Sequence, residues 1–311
     1  MNAVTHSSTE SQIQQPAAGI AQGATRPFYW SLWRELWENR SIYIAPLIVA
    51  GVQVFGFAIS TTGLADRRRG VLLLGDLLKQ RHQIEQPYDI AAMMMLFIVF
   101  IVGVFYCLEA LHSERRDRSI LFWKSLPVSD LTTVLSKVTI PLVVMPMVAF
   151  AIIVCVQVIM LLMTSVNLIV HGMSPASTWT LIPFFQNWFV LLYGLIAIAL
   201  WQAPIYGWLL LVSGCVRRAT FLWAVLPLIA IQIFEKITFG TSYFGSFLRY
   251  RLLGFAPGAF DFQSRADPTI DSLAQLTPGR YLTTPGLWLG LLVAAAFLAA
   301  AVRMRRYRGP I

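Results

Sequence analysis

Apolar and polar positions alternate in long blocks along the chain. Six stretches, near residues 42–60, 90–111, 138–163, 184–212, 221–235 and 285–302, are almost free of charge. About 20 apolar helical residues span a hydrocarbon core of roughly 30 Å, so each stretch predicts a membrane-crossing helix. Only helices or closed barrels satisfy their backbone in lipid, and the pattern therefore predicts an all-α membrane protein with six transmembrane helices. The fifth stretch is short. The fourth is longer than one upright crossing, and Pro204 and Gly207 predict a kink there, or first turns outside the membrane.

The flanks add two features. "PFYWSLWRELWENR" sets Trp30, Trp33 and Trp37 on one helical face with Leu36 beside them, while Arg34, Glu35, Glu38 and Asn39 fall elsewhere. A helix within 27–40 lying in the head-group layer follows, since Trp prefers that depth; a plain anchor for the first span is the alternative. Residues 1–26, rich in Ser, Gln, Ala and Thr, read as a disordered and retained tail. The remainder, 27–311, reads as a single six-span domain. Its longest connection, 236–284, is aromatic and then polar, and predicts an external segment that dips into the interface or packs over the bundle.

Composition agrees with a bilayer as solvent: 57% of residues are hydrophobic, 13% are charged, and the mean hydropathy is +0.65. With six spans both termini share a side. That side carries 14 Lys and Arg against 10 on the other, and "RMRRYR" abuts the last span. Residues 165–180 have no Lys or Arg, whereas Arg67, Arg68 and Arg69 oppose the trend. The balance places both termini in the cytoplasm. The net charge of +9 then fits anionic lipid head groups rather than nucleic acid.

Little in the sequence suggests chemistry. Cys107, Cys155 and Cys215 stand singly in or beside spans and read as small buried hydrophobes. His6, His82, His112 and His171 lack zinc-ligand spacing, so no metal site is expected. Neither G-x-S-x-G nor H-E-x-x-H occurs, which argues against a membrane-embedded hydrolase. The spans lack mid-membrane carboxylates of the kind a secondary transporter couples to.

One polar segment stands out. "ERRDRSILFWKSLPVSD", residues 114–130, lies between the second and third spans. Asp117 or Ser119 can cap a short helix there, Pro127 ends it, and Ser129 or Asp130 caps the next. Ile120, Leu121 and Trp123 are ringed by Arg115, Arg116, Arg118 and Lys124. Such a knob with a polar rim suits protein docking, and it equally suits a head-group anchor; composition does not separate the two.

"LEALHSERRDRSILFWKSLPVSDLTTVLSKVTIPLVV", residues 108–144, resembles the segment joining the second and third spans of bacterial ABC-2-type permeases, the membrane subunits of one class of ATP-binding-cassette transporter. The resemblance extends more loosely to the Trp-rich helix, the six spans and the long connection before the last. It implies that Arg115, Arg116, Asp117, Arg118, Ile120, Leu121, Trp123 and Lys124 form the coupling region that sits on an ATPase subunit. It further implies two ATPase copies, a second permease copy, export, and the bacterial cytoplasmic membrane. The chain has no Gly-Lys dipeptide and hence no P-loop, so ATP and Mg are expected in the partner chain and no cofactor in this one.

For the substrate path, polar and soft groups in the spans are the candidates: Met94, Gln157, Gln202 and Gln232, with Asn187 and Glu109 behind them. The resemblance turns the second and fifth spans towards a dimer axis, which favours Gln232 and Met93 to Met95. Hydrogen bonding between helices is the competing role for the amides. An ATP-independent secondary transporter and a non-transporting membrane anchor are the rival functions.

Overall fold

A computed structural model of the chain describes residues 27–73, 75–117, 119, 128–262 and 273–307. Among these residues there is no sheet, only an isolated bridge between Phe260 and Leu276. Helix α1 covers Pro27–Glu38, α2 Ser41–Ser60, α3 Leu64–Leu72, α4 Leu77–Ala110 and α5 His112–Arg116. The third span is α6, Asp130–Thr139, then a π turn at Ile140–Val144, then α7, Met145–Val170. After α8, Ala176–Leu181, come α9, Phe184–Cys215, and α10, Thr220–Phe239. The connection to the last span contains α11, Tyr243–Leu253, α12, Ala256–Ala259, and α13, Pro278–Thr283; α14, Pro285–Tyr307, closes the chain.

Six of these helices are long and apolar enough to cross a membrane, as the hydrophobic blocks predict. Their packing follows helical periodicity. On α4, Ile84, Tyr88, Ala91, Met95 and Val99 form one buried stripe; on α7, Met145, Ala149, Ile153, Val156 and Met160 form another. The outward faces are apolar too: Ile48, Val52, Phe55 and Ile59 of α2 are exposed. An apolar interior beneath an apolar exterior is the arrangement of helices solvated by lipid.

Helix α9 is central. It packs along α14 and also touches α4, α7 and α10. It runs as one helix of 32 residues, with Pro204 inside it. Gly207 serves close approach instead: a Cβ there would lie 3.3 Å from the Ala294 carbonyl oxygen of α14. The third span is interrupted, and for a local reason. Pro141 and Pro146 each remove a backbone donor, and the π turn sits where the α ladder is broken.

Local signals near residue 129 hold as expected. Ser129 caps α6, its Oγ accepting from the Thr132 amide at 3.1 Å. The predicted short helix over Ile120–Pro127 and the 1–26 tail lie outside the described residues. Of the cysteines, Cys107 is buried as expected, whereas Cys155 is exposed on the third span and Cys215 is half-buried.

Glu235, near the end of α10, turns the chain back on itself. Its carboxylate accepts from the Thr241 hydroxyl at 2.8 Å and from the amides of Tyr243 and Phe244 at 2.6 and 2.8 Å. A carboxylate at a helix N-terminus satisfies otherwise orphaned amides, so α10 and α11 form one hairpin.

Candidate functional site

Helix α1 and the last turn of α14 meet at one end of the bundle, here the near end, and an ionic cluster joins them. Glu35 of α1, fully buried, accepts from Lys137 Nζ of α6 at 2.8 Å and from Arg34 at 2.9 Å. Tyr106 of α4 donates its hydroxyl to the other Glu35 oxygen at 2.9 Å. Glu114 of α5 lies 3.1 Å from Lys137, 3.3 Å from Arg34 and 3.2 Å from Arg305 of α14. Arg305 also reaches Asp130, at 3.5 Å. Three carboxylates of the cluster, Glu35, Glu114 and Asp130, thus face three cations, Lys137, Arg34 and Arg305, with the exposed Glu38 at its edge 3.7 Å from Arg34. That balance matters because a buried charge without a partner costs several kcal/mol, and a cluster that loses one member exposes the rest to that penalty.

Electrostatics follow from this geometry. Burial alone would raise the Glu35 pKa, but Lys137 and Arg34 outweigh it and hold the carboxyl below the ordinary range. Burial would lower that of Arg34, yet the carboxylates of Glu35 and Glu114 keep it above its usual value.

The proposed coupling region begins at this cluster. Arg115, read from sequence as part of a polar rim, is buried and donates to the Gly214 carbonyl of α9 at 2.8 Å. Its backbone neighbours point the same way: the amides of Leu111 and His112 both donate to Ser213 Oγ at 3.0 Å. Arg116 and Asp117 are exposed and pair with each other at 3.2 Å. Arg118, Ile120, Leu121, Trp123 and Lys124 lie outside the described residues.

The substrate-path candidates do not converge. Gln232 is exposed on α10 and Met94 on α4. Gln202 faces inward, within 3.4 Å of the Tyr206 hydroxyl one turn on. Glu109 is exposed and forms no ion pair among the described residues. Gln157 alone of the four lines a cavity, together with Asn187.

That cavity, of about 420 Å³, lies towards the opposite, far end between α4, α7 and α9, with Phe255 and Phe260 over it. At its rim Glu85 accepts from Arg81 at 3.1 Å and Asn187 at 3.3 Å. Deeper, Gln157 accepts from Trp188 at 2.9 Å and donates to the Tyr88 carbonyl at 3.4 Å. Among the described residues no group of His, Cys, Asp and Glu is arranged to hold a metal ion.

Glu35, Lys137 and Arg305 were not singled out by sequence reasoning. Lys137 carried the available signal, a cation in the first turns of an otherwise apolar span. Comparison with family models, curated proteins and solved structures finds no match for this chain.

Proposed function

We propose that this chain is the permease subunit of an ATP-binding-cassette transporter, similar to the ABC-2 type, and that a separate subunit hydrolyses ATP. One observation chiefly supports this reading. Glu114, at the head of the segment that resembles a coupling region, is ion-paired with α1, α6 and α14 at once. A push on residues 118–127 would therefore reach helix α1 and the third and last spans through one charged joint, and α9 through Arg115. Packed elements of this kind move as rigid bodies, so closure of the ATPase would be converted into tilting of spans and either alternating access or lateral release of cargo.

The second permease copy has a fitting surface. Of the described residues of α10 only Ala224 is buried, and Phe221, Trp223, Leu226 and Phe234 face outward. Phe221 stacks on Phe105 of α4 at 6.2 Å, which joins the outward faces of the second and fifth spans into one apolar surface. Two permeases meeting there, each on its own ATPase, give the assembly that the resemblance implies. Both termini are placed in the cytoplasm and the chain in the bacterial inner membrane, with export as the direction.

The test is co-purification. In mild detergent the chain should bring with it a chain carrying a P-loop, and alone it should bind no ATP. An ATPase rate that stays with the lone chain through removal of contaminating ATPases overturns the proposal.

A further inference from the structure

We propose that Arg68 of α3 is the centre of a phosphate-binding site at the far end of the bundle. The proposal rests on the six-span bundle and not on the ATPase partnership.

Five cations among the described residues are buried: Arg68, Arg115, Lys137, Arg251 and Arg305. Lys137 and Arg305 face carboxylates, and Arg115 and Arg251 donate to backbone carbonyls. Arg68, 7% exposed, makes no hydrogen bond or ion pair among the described residues, and none of its nitrogens is wholly enclosed. A buried charge without a partner is costly, and an anion that reaches the guanidinium removes that cost.

Helical phase puts Arg68 there. Ala65 and Arg68, three residues apart, are the buried positions of α3, which packs on α4 and α7. Arg67 and Arg69 are exposed and already engaged: Arg67 donates to the Ser60 carbonyl, and Arg69 pairs with Asp66 at 3.3 Å. Of the three arginines that oppose the charge bias, Arg68 alone is left without an acceptor.

The acids at this end are committed elsewhere. Glu85 pairs with Arg81 at 3.1 Å, Asp76 with Lys79 at 3.8 Å, and Asp89 is also engaged. The ionisable group whose charge bears on Arg68 is Tyr88, a phenol that is neutral at ordinary pH and is bonded with Thr164 Oγ1 at 3.2 Å. Burial accordingly pulls the Arg68 pKa below its usual value, whereas carboxylates hold that of Arg34 above it.

The surroundings name the anion. Leu72, Leu73 and Leu77, where α3 passes into α4, are exposed apolar side chains close in sequence to the exposed Arg67 and Arg69, the mixture of a segment at head-group depth. Phosphate is the anion that lipid presents at that depth, and a guanidinium grips two of its oxygens at once.

The experiment uses the full chain, stripped of lipid in dodecyl maltoside, and follows thermal unfolding as dioleoylphosphatidylglycerol, dioleoylglycerol or inorganic phosphate is added. Phosphatidylglycerol should raise the midpoint saturably, and dioleoylglycerol, with the same chains and no phosphate, should not. In Arg68→Met the half-saturating concentration should rise at least about tenfold, the contribution of one charge-assisted hydrogen bond. Arg69→Met, which removes an exposed and paired charge, should change it less than about twofold. Without lipid, Arg68→Met should be at least as stable as the natural chain, because it removes an unpaired charge. A loss of stability there would mean that the fold already pairs Arg68, and would overturn the proposal. Mass spectrometry of the intact chain gives the comparison without unfolding: the natural chain should retain a phosphatidylglycerol that Arg68→Met loses. An equal response to millimolar inorganic phosphate would make the free ion the occupant, and a response to phosphatidylglycerol alone a membrane phospholipid; recognition of phosphate stands in both. Matching responses to the two lipids, or equal losses in Arg68→Met and Arg69→Met, overturn it as well.

Discussion

Lys137 Nζ lies 2.8 Å from Glu35 Oε1 across 102 residues of sequence, and neither side chain is more than 2% exposed. The pair fixes helix α1 against the cytosol-proposed end of the third span. Breaking one side leaves a buried charge with fewer partners, a loss of about 3–5 kcal/mol in comparable pairs. Lys137→Met should therefore lower the unfolding midpoint in detergent substantially. Adding Glu35→Gln should return part of the loss, and simple additivity of the two changes would show that the pair is not coupled.

The same pair has a pH signature. The folded-state pKa of Glu35 lies below its ordinary value of about 4.5, so its contribution is fully present above that value and is lost as pH falls towards the folded one. The stability gap between the natural chain and Glu35→Gln should be constant from pH 7 to 5 and close below about 4.5. Thermal unfolding at stepped pH checks this; a gap that widens on acidification contradicts it.

Arg251 of α11 docks the long connection onto the spans. Its guanidinium donates to the Gly286 carbonyl at 3.0 Å and lies 4.8 Å from the Trp201 ring centre, in space that Gly290 leaves open. A Cβ at residue 290 would collide with Arg251 Nη2. Gly290→Ala should cost about 1–3 kcal/mol through the displaced hydrogen bond and cation–π contact. In Arg251→Met the same Gly290→Ala change should cost much less, which a double-mutant cycle by thermal unfolding reads directly.

Coupling can be separated from folding. Trp123→Ala, removing the central aromatic of a docking knob, should weaken ATPase association by about 2 kcal/mol or more while the permease stays in the membrane. Arg115→Ala should act on the fold, leaving the buried Gly214 carbonyl without its donor at a cost of about 1–3 kcal/mol, and the exposed Arg116→Ala should do neither. Pull-down of the ATPase and unfolding in detergent, run on all three, distinguish these outcomes. Intact ATPase binding by Trp123→Ala would return the segment to a lipid-anchor role.

Topology is open to labelling on intact cells. Cysteines at Ser119 and at the C-terminus should resist an impermeant maleimide, and one at Asp267 should react. Reaction at Ser119 would reverse the proposed orientation and remove the coupling role.

The spans were legible because lipid demands a composition: a helix that crosses it must be apolar on every side, whichever face it later packs. Ser129 was legible because a cap acts within four residues. The ionic cluster was not. Glu35 sits on what reads as the polar face of a Trp-rich helix, and its partners come from α4 and α6, with Glu114 and Arg305 completing the group from far along the chain. No periodicity announces contacts that only the bundle creates. Gln157 and Asn187 were visible as polar groups in apolar spans, but their shared cavity depends on how α7 and α9 lie against α4.

The π turn at Ile140–Val144 has a consequence for how the third span is aimed. One residue more per turn advances everything beyond it by about 100° around the helix axis. Lys137 before the turn is buried among charges, and Ile153 beyond it is buried among hydrocarbon. In a helix of unbroken phase those two positions would be locked to a single relative bearing. The splice lets the charged segment be oriented independently of the greasy one, so a shortening by one residue between Ile140 and Val144 would leave the charged side chains themselves untouched and still swing Lys137 off its target.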